Sequence, residues 1–196
     1  MNGNDDLVTA LAPVAATFDE LQIRFYIGGS VASSFHGAIR STMDVDLVCD
    51  LREEQIGQLV TTLGDDYYVS SIAIREAVRL KSCFNLIHLA TSYKVDLFVS
   101  RGRLFDKCSM DRAKLQKIGL SQVFTVPVCT VEDSIISKLE WYRLTDETSE
   151  RQWEDVSRLV KLMGHYLDLP YLEKMAASIR IDDLLEKLLR ETLPPK

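Results

Sequence analysis

The chain has 196 residues, enough to bury a real core as one domain or as a domain with a helical appendage. With 46% hydrophobic and 27% charged residues it reads as an ordinary globular protein. A formal net charge of −6 argues against a generic basic surface for long nucleic acid, yet leaves room for a nucleotide or an RNA end, because local patches decide that. No apolar run approaches the length needed to span a bilayer, so no membrane association is expected. Cys49, Cys83, Cys108 and Cys129 are scattered without a C-x-x-C pair, and the three histidines show no zinc spacing. The N-terminus lacks the basic and apolar regions of a signal peptide, and the expectation is a reduced, cytoplasmic protein.

In chain order, residues 5–22 carry apolar positions at helical spacing, with Pro13 bending or restarting the helix. A short strand from Arg24 to Ile27 turns through Gly28-Gly29 into a helix over residues 30–37. Val45 to Cys49 forms a second strand, and Asp50 with Glu53 three positions later suggests a capping box for a helix to Leu63. Residues 67–70 and 83–90 read as strands, and 94–100 as the return strand of a hairpin with Val95, Leu97 and Val99 on one face. A helix over 102–114 and a strand over 122–128 follow. From Thr130, with Glu132-Asp133 in the first turn, the pattern is helical to Leu189. The expected fold class is α/β (α+β), with an α/β part over residues 1–128 and a helical C-terminal domain over 129–196.

Chemistry concentrates in Tyr26-Ile27-Gly28-Gly29-Ser30-Val31-Ala32 and, a little later, Arg40-Ser41-Thr42-Met43-Asp44-Val45-Asp46-Leu47. Asp44 and Asp46 are two apart on a strand, so both carboxylates face one way while Val45 and Leu47 face the core. Two like charges so close are tolerated when solvated or when a divalent cation neutralises them. Mg²⁺ takes hard oxygen ligands and binds one or two carboxylates plus substrate phosphates. Two such ions about 3.5–4 Å apart can clamp the attacking and leaving oxygens of an in-line displacement. Asp96, which interrupts the apolar strand Val95 to Val99, is the natural third ligand. A solvated strand face or a turn is the plain alternative for Asp44 and Asp46. An EF-hand fits poorly, since counting from Asp44 puts Cys49 where that loop needs glycine.

Gly28 and Gly29 would let the backbone approach a phosphate, with Ser30 at the start of a helix whose N–H groups attract anions. On its own a Gly-Gly turn after a strand is more often a tight corner than a ligand site, and the Lys-Ser/Thr pair of a Walker A loop is missing. Read instead as a nucleophile elbow, Ser30 would need an aspartate and then a histidine downstream, and neither His88 nor His165 sits at an obvious triad position. Arg40 and Thr42 lead into the carboxylate strand, and Arg40 is either a triphosphate contact or an exposed loop arginine. Lys138 either reaches a phosphate or snorkels from its helix, and Asp155 has a ready surface partner in Arg151. Leu184, Leu185, Leu188 and Leu189 form an apolar stripe whose default is internal packing. Arg75, Arg79, Lys81, Arg101, Arg103 and Lys107 form a basic patch or are merely scattered solvated charges.

The strand–Gly-Gly-Ser–helix, Arg40-x-Thr42-x-Asp44-Val45-Asp46 and Asp96 together resemble the nucleotidyltransferase (DNA polymerase β-like) superfamily. Within it they look most like the small bacterial nucleotidyltransferase-like proteins, which include AbiEii-type toxins of toxin–antitoxin systems. The resemblance extends loosely to Thr130-Val131-Glu132-Asp133 through Lys138 and to Arg151 through Asp155. It implies a mixed sheet of four or five strands flanked by helices and a helical C-terminal domain closing over the nucleotide, with Asp44 and Asp46 on Mg²⁺ and Asp96 as third ligand or base. It also implies phosphate contacts at Gly28, Gly29 and Ser30, nearby Arg40 and Thr42, and help from Lys138. The expected reaction moves a nucleoside monophosphate from an NTP such as ATP to an acceptor. That acceptor could be a tRNA end, a protein side chain or a small molecule such as an aminoglycoside. An inactive nucleotide- or partner-binding module, for instance half of a toxin–antitoxin pair, is the alternative.

Overall fold

The computed structural model describes residues 3–38, 44–119 and 123–193. Helix α1 (Gly3–Glu20) runs uninterrupted through Pro13. The proline costs it one backbone donor, and Thr17 Oγ1 donates to the Pro13 carbonyl at 2.8 Å one turn later. Strand β1 (Phe25–Ile27) passes through Gly28 into α2 (Gly29–Phe35), and β2 (Asp44–Cys49) follows. The capping box expected at Asp50 does not form there. A 3₁₀ turn at Glu53–Gln55 precedes α3 (Ile56–Leu63), and Gln55 Oε1 accepts from the Arg52 N–H at 2.9 Å. Strand β3 is only Tyr67–Tyr68.

Helix α4 (Ser71–Leu80) lies in a stretch where the sequence pattern predicted nothing. Ser70 caps it, accepting from the Ala73 N–H at 3.3 Å, and Lys81 ends it in a left-handed conformation at φ 52°. Strands β4 (Cys83–His88) and β5 (Lys94–Val99) form the expected hairpin. Helix α5 (Leu104–Arg112) stops short of residue 114, because Lys114–Ile118 is a further strand, β6, that pairs with β7 (Phe124–Val128). The C-terminal part is α6 (Val131–Leu144), α7 (Glu150–Met163), α8 (Leu169–Ser178) and α9 (Asp182–Thr192).

The strands form one mixed sheet in the order β3-β4-β5-β2-β1-β7-β6. Its central strands alternate cleanly. Val45, Leu47, Val95, Leu97, Phe84 and Leu86 are buried in one cluster with Leu11, Val14 and Phe18 of α1, while Asp44, Asp46 and Asp96 lie on the other face. A second apolar cluster holds the C-terminal helices together and includes Leu184, Leu185 and Leu188, so the stripe of α9 packs within the chain. No helix among the described residues is long and apolar enough to cross a membrane.

Candidate active site

Strand pairing assembles the acids. β2 and β5 are parallel and in register, with Asp46 opposite Asp96 and Asp44 opposite Lys94. Adjacent strands lie about 4.8 Å apart, so two side chains on the same face of that pair stand shoulder to shoulder. β1 runs antiparallel to β2, and the Gly28 N–H donates to the Asp46 carbonyl at 2.9 Å. That bond sets Gly29 directly over the Asp46 side chain. Gly29 has φ +56°, and a Cβ there would fall 1.6 Å from Asp46 Oδ2. Only glycine fits the corner, for its backbone angle and for the carboxylate pressed against it.

β1 and β7 are parallel, so the helices that follow them, α2 and α6, leave the sheet at the same end. His36 Nε2 donates to the Cys129 carbonyl at 2.9 Å and ties the end of α2 to the start of α6. Two turns into α6, Lys138 is buried, and its Nζ donates to Asp155 Oδ2 of α7 at 3.1 Å. The lysine therefore does not snorkel, and Asp155 has an inward partner besides any surface one. Its charge reaches Asp46: Lys138 and Lys94 both favour the ionised carboxylate there. They do not win. Burial first, then the charges of Asp44 and Asp96, push the Asp46 carboxyl up to about 6.

Lys94 is the site residue that sequence reasoning passed over. The alternation that puts Asp96 on this face puts Lys94 there too, and its Nζ lies 2.8 Å from Asp96 Oδ2. The hydrogen bond to Asp96, helped by the charges of Asp96, Asp44 and Asp46, raises the ammonium above its ordinary value. On the far side of Asp96, β4 places Asn85 in register and exposed. Among the described residues, no three His, Cys, Asp or Glu side chains are grouped so as to hold a metal ion. Arg40 and Thr42 lie outside the described residues.

The other motifs resolve as follows. His88 is buried against the Tyr67 ring and bonds Thr91 Oγ1 through Nδ1 at 2.8 Å, so it does not serve an elbow at Ser30. Three of the four arginines of the basic patch are engaged: Arg75 with Glu53, Arg101 with Glu140, and Arg103 with Asp106 and Glu140. Glu132 and Asp133 do more than open a helix. Asp133, almost fully buried, accepts from Thr130 Oγ1 at 2.6 Å, from Ser109 Oγ at 3.1 Å and from the Tyr171 hydroxyl at 2.6 Å. Glu132 accepts from Arg112 at 3.2 Å and from the Asp168 N–H at 3.1 Å. Together they bolt α6 to α5 and α8.

No protein-family model matches the chain, and no curated protein matches it by sequence. The mixed sheet with its flanking helices is consistent with an α/β nucleotidyltransferase-like fold. The solution structure of the antibiotic-resistance factor ANT(2″)-Ia gives a TM-score of 0.58 at 16% identity, covering 96% of this chain and 98% of that one. A crystal structure of ANT(2″)-Ia in complex with adenylyl-2″-tobramycin gives 0.55 at 16% identity over 88% and 96% of the two chains. An antigenic nucleotidyltransferase-like protein from Paracoccidioides brasiliensis gives 0.53 at 19% identity over 95% and 93%. The likeness is one of fold, and it runs nearly the whole length of each chain.

Proposed function

We propose that the chain is a divalent-metal-dependent nucleotidyltransferase, moving a nucleoside monophosphate from an NTP to a hydroxyl-bearing acceptor with release of pyrophosphate. One observation carries this reading: Asp46 stands in register with Asp96, two residues from Asp44, and against the Gly29 corner. A structural role would not favour such crowding. Burial and two neighbouring carboxylates hold Asp46 near pH 6, the mark of an acidic site short of positive charge. The donor set, hard carboxylate oxygens on one strand face, suits Mg²⁺. When bound, Mg²⁺ would supply charge stabilisation at the phosphates.

In this reading each residue takes a role. Asp44 and Asp46 would hold the ion. Gly29 and Ser30, with Gly28 before them, offer the α2 corner to the triphosphate, and Lys138 adds positive charge beside Asp46. Arg40 and Thr42 belong to the segment leading into β2 and are assigned to the same triphosphate. Asp96 faces the acceptor. The acceptor oxygen forms a bond to the α-phosphorus as the bond to the bridging α–β oxygen breaks, pyrophosphate leaves, and the hydroxyl proton passes to Asp96. A small acceptor is favoured over RNA, because arginines of the basic patch are already paired with acids of the chain.

Calorimetric titration of the four NTPs, with and without Mg²⁺, tests the reading. Mg²⁺-dependent binding that disappears in Asp44→Ala supports it and identifies the base. Absence of binding by every NTP sinks it and leaves the partner-binding module, including a toxin–antitoxin role, as the reading to pursue.

A further inference from the structure

We infer that Lys94 is a built-in cation that takes the place of a second divalent ion at Asp96, so that this site works with one metal ion rather than two. The inference rests on the nucleotidyl-transfer reading and goes beyond it. Lys94 sits opposite Asp44 and two residues before Asp96, on the face that carries all three acids. Its ammonium lies 2.8 Å from Asp96 Oδ2, well within the distance at which a divalent ion on that oxygen would be repelled.

The ion pair has little structural reason to exist. The Lys94 side chain is 43% exposed, and pairs so open to water contribute at most about 1 kcal/mol to folding. Its consequence falls on the site. Asp44 and Asp46 keep a two-carboxylate position for one ion, while Asp96, neutralised from within, stays available to an acceptor hydroxyl. A lysine in that place also fixes the charge of the acceptor side without depending on metal concentration.

Counting bound Mn²⁺ by electron paramagnetic resonance, with a non-hydrolysable NTP analogue present, tests the idea without using activity. The wild-type chain and Lys94→Arg should bind one Mn²⁺ per chain, and Lys94→Gln should bind two. Two ions on the wild-type chain overturn the inference and leave nucleotidyl transfer standing, as does a single ion on Lys94→Gln with its nucleotide affinity retained. If no chain binds Mn²⁺ or the analogue at all, the nucleotidyl-transfer reading itself has failed and this inference falls with it. Because Lys94 is half exposed, Lys94→Gln should fold, and Lys94→Arg separates loss of charge from loss of shape.

Discussion

Two buried-side aspartates, Asp133 and Asp46, show how differently one chain can treat the same side chain. Asp133 receives three hydrogen bonds from Thr130, Ser109 and Tyr171, with Arg112 Nε 3.9 Å away. Everything a carboxylate needs is supplied by the protein. Asp46 is pressed against Gly29, faces Asp44 and Asp96, and is pushed up to about 6, with only the more distant charges of Lys138 and Lys94 in its favour. A carboxylate satisfied from within holds the fold together. One left short of positive charge is the better candidate for binding something. The contrast separates the two without reference to any relative.

The sharpest break in the comparison is a pair of substitutions with opposite effects. Asp46→Ala should lower nucleotidyl transfer by at least about 10³-fold, about 4 kcal/mol, measured as pyrophosphate release with saturating NTP. The metal-free Asp46→Ala chain should nevertheless melt no lower than wild type, because a repelled charge has been removed. Asp133→Ala should do the reverse. It strands the hydroxyls of Thr130 and Tyr171, while Ser109 keeps the Phe105 carbonyl and Arg112 keeps Glu132, and should cost about 2–4 kcal/mol of stability in urea unfolding. A melting loss for Asp46→Ala as large as that for Asp133→Ala would erase the distinction.

Gly29→Ala sharpens the comparison at one atom. The new Cβ would meet Asp46 Oδ2 at 1.6 Å, and the backbone is at φ +56°, so the carboxylate must swing away from the corner. Nucleotide affinity in the presence of Mg²⁺ should fall about 10–100-fold, a loss of about 1.4–2.8 kcal/mol, read by calorimetry. Gly28→Ala is the control, since a Cβ there meets nothing closer than 4.0 Å. Equal losses in the two variants would show that the contact with Asp46 is not what makes the corner matter.

The comparison also explains what could be read from the sequence. The alternation in Asp44–Cys49 and Lys94–Val99 was enough to put Asp44, Asp46 and Asp96 opposite the core, because a one-residue slip would bury charge. Their meeting depends on β2 and β5 being neighbours, which no local pattern encodes. Lys94 obeys the same alternation, but a lysine at the start of a strand looks like any solvated lysine until Asp96 is placed beside it. Helix α4 escaped because Ile72 and Leu80 are exposed while Ile74, Ala77 and Val78 are buried, which blurs the apolar stripe. β6 is an edge strand with Leu115 exposed, so burial gave it little pattern to show. The Asp133 cluster joins residues 24 and 38 positions apart in sequence and was invisible for that reason. Thr130 and Asp133 showed themselves only as a helix start.

The smallest effect is in pH, and it tests the electrostatics directly. Asp46 titrates at about 6 in the folded chain against an ordinary 3.8, so between these values the folded state holds a proton that the unfolded state has lost. Its contribution to stability is present below pH 4 and is lost as pH rises through 6. The full shift would correspond to about 3 kcal/mol, and partial solvent access reduces the expected loss to about 1–2 kcal/mol. Since other carboxylates titrate in the same range, the quantity to measure is the difference in unfolding free energy between wild type and Asp46→Asn, without metal, from pH 4 to 7. The difference should favour Asn increasingly as pH rises, and saturating Mg²⁺ at pH 7 should narrow it by stabilising only the wild type. A flat difference would mean that Asp46 is as well satisfied as Asp133, and the physical case for a cation at this face would be gone.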